Sequence, residues 1–281
     1  MINQSSKIVR RGGNFGERYL DASQKNQSFL CVGLDPIPEL IPAGVDVREF
    51  LRTIIEVTKD LVCCYKPNIA FFEQFGRDGW DILFSTISAI PEEIPVLLDA
   101  KRGDIGHTAE AYAKAIFDEL EVDAVTLNPY LGFDALKPFL SREDRHSFIL
   151  CRTSNQSAVD LQDLQIDELK LYEKVAQLAQ SWNTSNNVGL VVGATYPEEA
   201  RRVRDICPDQ LLLLPGVGAQ DGDLKLAVQS AVKSDGGGIL VNASRGILYA
   251  QPYNNGCAVG GWAEASQLAT SELRDQINAA L

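Results

Sequence analysis

The chain has 281 residues, of which 45% are hydrophobic and 23% are charged, and its formal net charge is −12. This is the composition of an ordinary globular protein, and the acidic balance argues against a protein whose main task is to hold nucleic acid or an anionic membrane. It leaves room for an anionic small substrate, because a few local lysines and backbone N–H groups can form a positive pocket.

The first 28 residues are predicted to form a leading arm and a helix. Their first 13 residues include three basic residues but lack the apolar core of a secretory signal. No apolar run in the chain approaches the roughly 18 residues that span a membrane. We therefore expect a cytoplasmic location and no membrane partner.

The six cysteines are expected to be reduced. No CxxC pair occurs, and four of the six, Cys31, Cys63, Cys64 and Cys151, lie in apolar runs, which predicts buried thiols. Only two histidines are present, so a Cys/His metal site has few ligands available. We expect no metal site.

Eight short apolar runs recur along the chain and predict strands. Runs that are apolar at nearly every position are typical of parallel strands buried on both faces. The runs are 29–34, 61–65, 95–100, 123–127, 147–151, 188–193, 211–215 and 237–241.

Helical patterns separate these runs, and the clearest covers 108–120 with Thr108 as its expected N-cap. Eight strand–helix repeats in this length predict an α/β fold, a (β/α)₈ TIM barrel in a single domain over 1–281. A doubly wound sheet is the alternative, but the first strand ends in Gly33-Leu34-Asp35-Pro36 rather than in a dinucleotide fingerprint. The barrel strands and active site occupy 29–250, and 251–281 form a closing loop and a C-terminal helix. The other predicted helices cover 46–60, 167–182, 197–206, 221–234 and 262–281.

Polar residues follow nearly every predicted strand. In a (β/α)₈ barrel the chemistry lies at the carboxyl ends of the strands, so these residues would share one rim. Each has a simple structural explanation alone, and their joint occurrence is the stronger signal. They are Asp35, Lys66-Pro67-Asn68, Asp99-Ala100-Lys101, Asn128-Pro129, Arg152-Thr153-Ser154-Asn155, Pro215 to Gln220 and Asn242 to Gly246.

The third strand end carries the densest charge. Asp99 and Lys101 are two residues apart, so regular alternation would point both at the barrel mouth. A mutual ion pair without a catalytic role is the alternative. Asp104 comes after Arg102-Gly103 has left the strand, and it reaches the same pocket only by an inward loop or from a second subunit.

The ends of the seventh and eighth strands resemble a phosphate cradle. Glycines in the Gly216-x-Gly218 spacing let backbone N–H groups approach an anion, and Arg245 adds a bidentate donor. The run Gly236-Gly237-Gly238 is interpreted as a plain turn into the eighth strand.

Taken together, these motifs resemble orotidine 5′-phosphate decarboxylase, in the longer bacterial group of that family. The resemblance extends from about residue 28 to 250, and its most specific element is Asp99-Ala100-Lys101-Arg102-Gly103-Asp104-Ile105. It implies a homodimeric barrel enzyme without metal or organic cofactor. Such an enzyme converts orotidine 5′-monophosphate to uridine 5′-monophosphate (UMP) and CO₂, the last step of de novo pyrimidine synthesis.

The resemblance also implies roles for individual residues. Lys66, Asp99, Lys101 and Asp104 match the family's catalytic array. Asp104, with Ile105 and Thr108, matches the part that reaches the other subunit's pocket. Asp35 matches the residue on the ribose hydroxyls, and Ser154 the serine on the pyrimidine. The phosphate loops match at Pro215, Gly218, Gln220, Ser244, Arg245 and Gly246, with Gln220 and Arg245 as the grip.

One residue departs from the family pattern. Asp221 stands where the family usually has glycine, and we expect its carboxylate to face solvent at the start of a helix, where an acidic side chain is favoured. Related barrels that act on sugar phosphates with a divalent metal, such as hexulose-phosphate synthases, are the nearest alternative. A non-catalytic nucleotide sensor is another.

Overall fold

A computed structural model describes residues 13–216, 224–251, 253–254, 257–258 and 261–281. Eight parallel strands form one sheet: β1 Leu30–Leu34, β2 Cys64–Pro67, β3 Leu97–Arg102, β4 Ala124–Leu127, β5 His146–Arg152, β6 Val188–Val192, β7 Leu212–Pro215 and β8 Ile239–Ala243. Their spatial order is β2-β1-β8-β7-β6-β5-β4-β3. The bridges Tyr65↔Val96 and Asn68↔Asp99 join its two edges, β2 and β3, and close the barrel. The TIM barrel predicted from the sequence is confirmed.

Helices surround the barrel. Their apolar faces pack on the strands, because strands buried on both faces need a cover outside as well as a filled interior. None of the helices in the described ranges has the length and hydrophobicity of a membrane span. The helices are α1 Phe15–Asn26, α2 Val47–Thr58, α3 Ala70–Glu73, α4 Gly79–Ala89, α5 Gly106–Lys114, α6 Phe133–Leu140, α7 Leu171–Trp182, α8 Pro197–Ile206, α9 Leu224–Ala231, α10 Arg245–Leu248 and α11 Trp262–Ala280.

Helix α1 covers the amino-terminal end of the barrel. Phe15 packs edge-on against Phe148 with ring centroids 5.7 Å apart, and the Tyr19 hydroxyl donates to the Ile239 carbonyl (2.7 Å). Both aromatic rings join the buried cluster that fills this end of the barrel, which includes Cys63. Side chains therefore fill the barrel interior at this end.

Two sequence predictions about helices were wrong in detail. Thr108 does not cap α5: its N–H donates to the Ile105 carbonyl (3.2 Å), so it lies inside the first turn, and Ile105 occupies the cap position. The predicted helix over 167–182 begins only at Leu171, because Gln165–Ile166 and Leu169–Lys170 form a small antiparallel hairpin. A second pair of short strands, Tyr253–Asn254 and Cys257–Ala258, follows α10.

Other details agree with the sequence. The helix over 108–120 is present as α5 followed by a π-helical turn, Ala115–Glu119. Five of the cysteines are buried and free: Cys31, Cys63, Cys64, Cys151 and Cys207. Residues 236–238 form the turn into β8 that was predicted for them.

Candidate active site

Three of the four predicted catalytic residues meet at the carboxyl ends of β2 and β3. The Lys66 Nζ lies 3.2 Å from the Asp99 Oδ2, and the Lys101 Nζ lies 2.7 Å from the Asp99 Oδ1. The Lys66 side chain is 5% exposed and that of Asp99 12%, whereas Lys101 is 49% exposed. The charges therefore alternate from a buried cation, through a nearly buried anion, to a cation at the open rim.

This alternation keeps the two buried groups charged. Burial by itself would raise the pKa of the Asp99 carboxyl, but the charges of Lys66 and Lys101 outweigh it and hold that pKa well below its usual range. Burial would likewise lower the pKa of Lys66, and the charges of Asp99 and Asp35 instead raise it above its usual value. Asp99 and Lys66 are thus both ionised across the neutral pH range.

A bulge in β3, rather than regular alternation, brings Asp99 and Lys101 together. Leu98 pairs with Val125 and Arg102 pairs with Leu127, so three residues of β3 lie opposite one residue of β4. Lys101 sits in the left-handed region with φ +48°, which costs an ordinary residue about 1–2 kcal/mol. The prediction that both side chains share the mouth agrees with the geometry, but the reason given for it was wrong.

Two neutral side chains complete the surroundings of Asp99. The Thr126 hydroxyl donates to Oδ1 (2.8 Å), and the Asn68 amide donates to Oδ2 (3.2 Å). Each carboxylate oxygen therefore accepts from one ammonium and one neutral donor, which fills its acceptor positions. Asn68 was among the polar strand ends predicted from the sequence, whereas Thr126, which lies inside an apolar run, was not predicted.

Asp104 does not join the array of its own chain. Its Oδ1 accepts a hydrogen bond from the N–H of Ile105 (2.8 Å), and it forms no ion pair with a described residue. Ile105 is 59% exposed, and Thr108 is exposed as well. None of these three predicted site residues hydrogen-bonds to Lys66 or Lys101 within the described part of the chain.

Asp35, at the end of β1, has an unused acceptor. It is 8% exposed, and its Oδ1 has no hydrogen-bond partner among the described residues. A buried carboxylate oxygen without a donor is costly, so such an atom is suited to a donor from a ligand. A sugar hydroxyl is one donor of this kind.

The loop that carries Ser154 is fixed by Gln162. The Oε1 of Gln162 accepts from the Thr153 N–H (2.8 Å), and its Nε2 donates to the Thr153 hydroxyl (2.7 Å). Ser154 also packs against Gly193 at the end of β6, where an added Cβ would lie 2.8 Å from the Ser154 nitrogen. Only glycine therefore fits at position 193.

Only some of the residues predicted to bind phosphate lie in the described ranges. Pro215 ends β7, and Arg245 and Gly246 are exposed at the start of α10. Ser244 packs so closely on β1 that a Cβ at Gly33 would lie 1.9 Å from its hydroxyl oxygen. Gly218, Gln220 and Asp221 lie outside the described residues, so their predicted roles stay predictions.

Replacing Asp99 with asparagine should destabilise the protein most strongly near neutral pH. The change leaves Lys66 buried without its main partner, which costs on the order of 3 kcal/mol for a buried ion pair. In the wild type, the raised pKa of Lys66 gives stability that is complete below the unfolded value of about 10.4 and is lost as pH rises through the folded value. The lowered pKa of Asp99 gives stability that is lost only in acid.

In Asp99→Asn the burial of Lys66 instead lowers its pKa, so the variant should regain stability as pH rises towards about 10. Urea unfolding at pH 7 and pH 10 measures the difference from the wild type at each pH. Glu56→Gln, which removes the exposed pair with Lys59, is the control and should change neither value. A deficit for Asp99→Asn that is equal at both pH values would contradict the coupling of Lys66 to Asp99.

Comparisons with known proteins, by family model, by sequence and by structure, all point to one family. A family model described as orotidine 5′-phosphate decarboxylase / HUMPS family matches residues 28–255. The orotidine 5′-phosphate decarboxylase of Roseiflexus castenholzii is 50% identical over 275 residues, which cover 95% of this chain and 98% of that protein. The enzyme of the same name from Dehalococcoides mccartyi is 47% identical over 268 residues, covering 94% and 97%. The structure of Leishmania donovani OMP decarboxylase superposes with a TM-score of 0.84 at 41% identity, covering 95% and 98%.

Proposed function

Because the chain belongs to the orotidine 5′-phosphate decarboxylase / HUMPS family, we propose that it converts orotidine 5′-monophosphate to UMP and CO₂. This reaction is the last step of de novo pyrimidine synthesis. The observation that carries the proposal is the Lys66–Asp99–Lys101 array at the carboxyl end of the barrel. The names of the relatives, which cover nearly the whole chain, support the same substrate.

Lys101 is the proposed acid of the reaction. When the bond between C6 and the carboxylate breaks, its electron pair stays in an sp² orbital of C6, with no adjacent carbonyl to delocalise it. An ammonium group at C6 stabilises this charge and then transfers a proton to the carbon, and the neutral amine regains its proton from solvent. A fixed cation is worth more in a pocket that excludes water. The half-exposed position of Lys101 at the rim leaves its Nζ open to a substrate.

Asp99 holds the acid in place, and Lys66 supports Asp99. The Asp99 Oδ1 accepts a hydrogen bond from the Lys101 Nζ (2.7 Å), so it fixes the position of that group. It would also lie near the departing carboxylate and repel it in the ground state. Lys66 compensates the charge of Asp99 from the buried side.

The remaining residues are proposed to bind the substrate. Asp35 accepts from the ribose hydroxyls with its unpartnered oxygen, and Ser154 contacts the pyrimidine. The phosphate lies at the ends of β7 and β8, far from C6, so its binding energy can be used to close the pocket around the reacting carbon. The residues assigned to the phosphate loops are Pro215, Gly218, Gln220, Ser244, Arg245 and Gly246.

A homodimer with shared active sites would supply Asp104. The loops after β3 and β4 run side by side, joined by the Asn128 N–H to the Arg102 carbonyl (2.8 Å). Both loops expose apolar side chains, including Ile105 (59%), Tyr130 (77%) and Leu131 (47%). Exposed apolar groups next to a charged site suit a contact with a second subunit. In such a dimer Asp104, with Ile105 and Thr108, would face the partner's Lys101.

The proposed chemistry uses no metal or organic cofactor. Both oxygens of Asp99 face ammonium groups, and these would repel a divalent cation. Related barrels such as hexulose-phosphate synthases use such a cation. The cytoplasmic location inferred from the sequence stays a prediction.

Orotidine 5′-monophosphate should therefore be consumed at the same rate before and after treatment with excess EDTA. The loss of substrate absorbance follows the rate, and chromatography identifies UMP as the product. A hexulose-phosphate synthase assay with added Mg²⁺ is the matched control and should give no product. If orotidine 5′-monophosphate is not consumed, or is consumed only with metal, the proposed function fails.

A further inference from the structure

We infer that Thr126 is a positioning residue, whose single hydroxyl fixes both Asp99 and Lys101 in the geometry that decarboxylation requires. The inference rests on the proposed function and adds a residue to its site. Thr126 is 1% exposed in the middle of β4, where the neighbouring Val125 and Leu127 are core residues.

The hydroxyl of Thr126 is a hydrogen-bond donor and an acceptor at the same time. It donates to the Asp99 Oδ1 (2.8 Å) and accepts from the Lys101 backbone N–H (2.9 Å). A hydroxyl has one donor and two acceptor positions, so both bonds can be made at once. No other side chain in the described part of the chain hydrogen-bonds to both the carboxylate of Asp99 and the backbone of Lys101.

The Lys101 N–H needs this acceptor because of the bulge. Opposite Thr126, β3 has three residues where β4 has one, so the regular ladder between the two strands is interrupted. A left-handed φ at a non-glycine residue persists only where its surroundings enforce it. The Thr126 hydroxyl replaces the lost ladder bond and thereby holds the backbone from which the Lys101 ammonium extends.

The same hydroxyl sets the orientation of the carboxylate. Asn68 and Lys66 hold Oδ2, whereas Thr126 and Lys101 hold Oδ1. Without Thr126, Lys101 is the one hydrogen-bond donor left on Oδ1 among the described residues, and it is a half-exposed side chain on a flexible stem. Loss of the hydroxyl would therefore let the Asp99–Lys101 pair move as a unit relative to C6. A displacement of this kind slows the chemical step more than it weakens binding.

The test compares variants that keep or remove the hydroxyl. Thr126→Val keeps the shape and should lower kcat by about 10- to 100-fold, the effect of losing a hydrogen bond to a charged group, with KM and the Kd for UMP changed less than about threefold. Thr126→Ser should return kcat to within about threefold of the wild type. Thr86→Val is the control: it removes another buried hydroxyl, bonded to the Ile82 carbonyl in α4, and should leave kcat unchanged.

Three results would overturn the inference. They are a kcat for Thr126→Val within about threefold of the wild type, a Thr126→Ser variant as slow as Thr126→Val, and a proportional loss of kcat and UMP affinity, which would mean general distortion of the pocket. If Thr126→Val does not fold, the pair Thr126→Ser and Thr126→Cys decides by the same criteria, because sulfur is the weaker hydrogen-bonding group. A wild type that is itself inactive would overturn the proposed function instead.

Discussion

Lys101→Ala should lower the turnover of orotidine 5′-monophosphate by about 10,000-fold and leave the binding of UMP nearly unchanged. The variant loses the cation that stabilises the C6 carbanion and also the proton that the carbanion receives, two effects that each contribute about 100-fold or more. UMP carries hydrogen at C6, so it has no developing charge for the ammonium to stabilise. The rate is measured from the UMP formed in reactions quenched at fixed times, and titration calorimetry measures the affinity for UMP.

The control for this variant is Lys174→Ala, which removes an exposed lysine from α7 and should not change the rate. Lys101→Arg adds a second comparison. It keeps a positive charge, but a guanidinium does not release a proton near neutral pH, so its rate should stay far below that of the wild type. If the Lys101→Ala variant keeps a tenth of the wild-type turnover, Lys101 is not the acid. A wild type that binds UMP and turns over no substrate would indicate a sensor.

The barrel could be predicted from the sequence because its strands are buried on both faces. Such strands are apolar at almost every position, and their carboxyl ends share one rim, so Asp35, Lys66 and Asp99 could be assigned to one site. Four helices were not predicted: α3 and α10, which have only four residues each, and the longer α4 and α6. In α4 the apolar Trp80 and Phe84 are exposed, so the helix lacks a clear polar face in the sequence. Helix α6 contains Pro138, and proline is rare inside helices.

The finer geometry of the site depends on interactions that a sequence pattern does not contain. The bulge at Lys101 is a property of the register between β3 and β4, so alternation along β3 alone could not reveal it. Thr126 is a polar residue inside an apolar run, and such residues are common in cores with a backbone partner. A signal was present nonetheless, because Thr126 lies two residues before the predicted strand end at Asn128 and faces the same side of β4.

Substitutions of Asp104 can show whether the active site is shared between two subunits or formed within one chain. Asp104→Ala should lower turnover by about 100-fold or more, because it removes a charge next to the acid. In a shared site, each pocket uses Lys101 of one subunit and Asp104 of the other. The same two substitutions can then be arranged in two kinds of heterodimer, one of which should be active and the other nearly inactive. Subunits with two different affinity tags, purified in tandem, provide each heterodimer without the homodimers.

In the first heterodimer one subunit carries Lys101→Ala and the other Asp104→Ala. A shared site leaves one pocket intact, so this dimer should have about half of the wild-type activity. In the second, one subunit carries both substitutions and the other is wild type; each pocket then lacks one group, and the dimer should be nearly inactive. Sites formed within single chains give the reverse order, with the first dimer inactive and the second at about half. The reverse order would therefore require Asp104 to turn inward within its own chain, away from its contact with the Ile105 N–H.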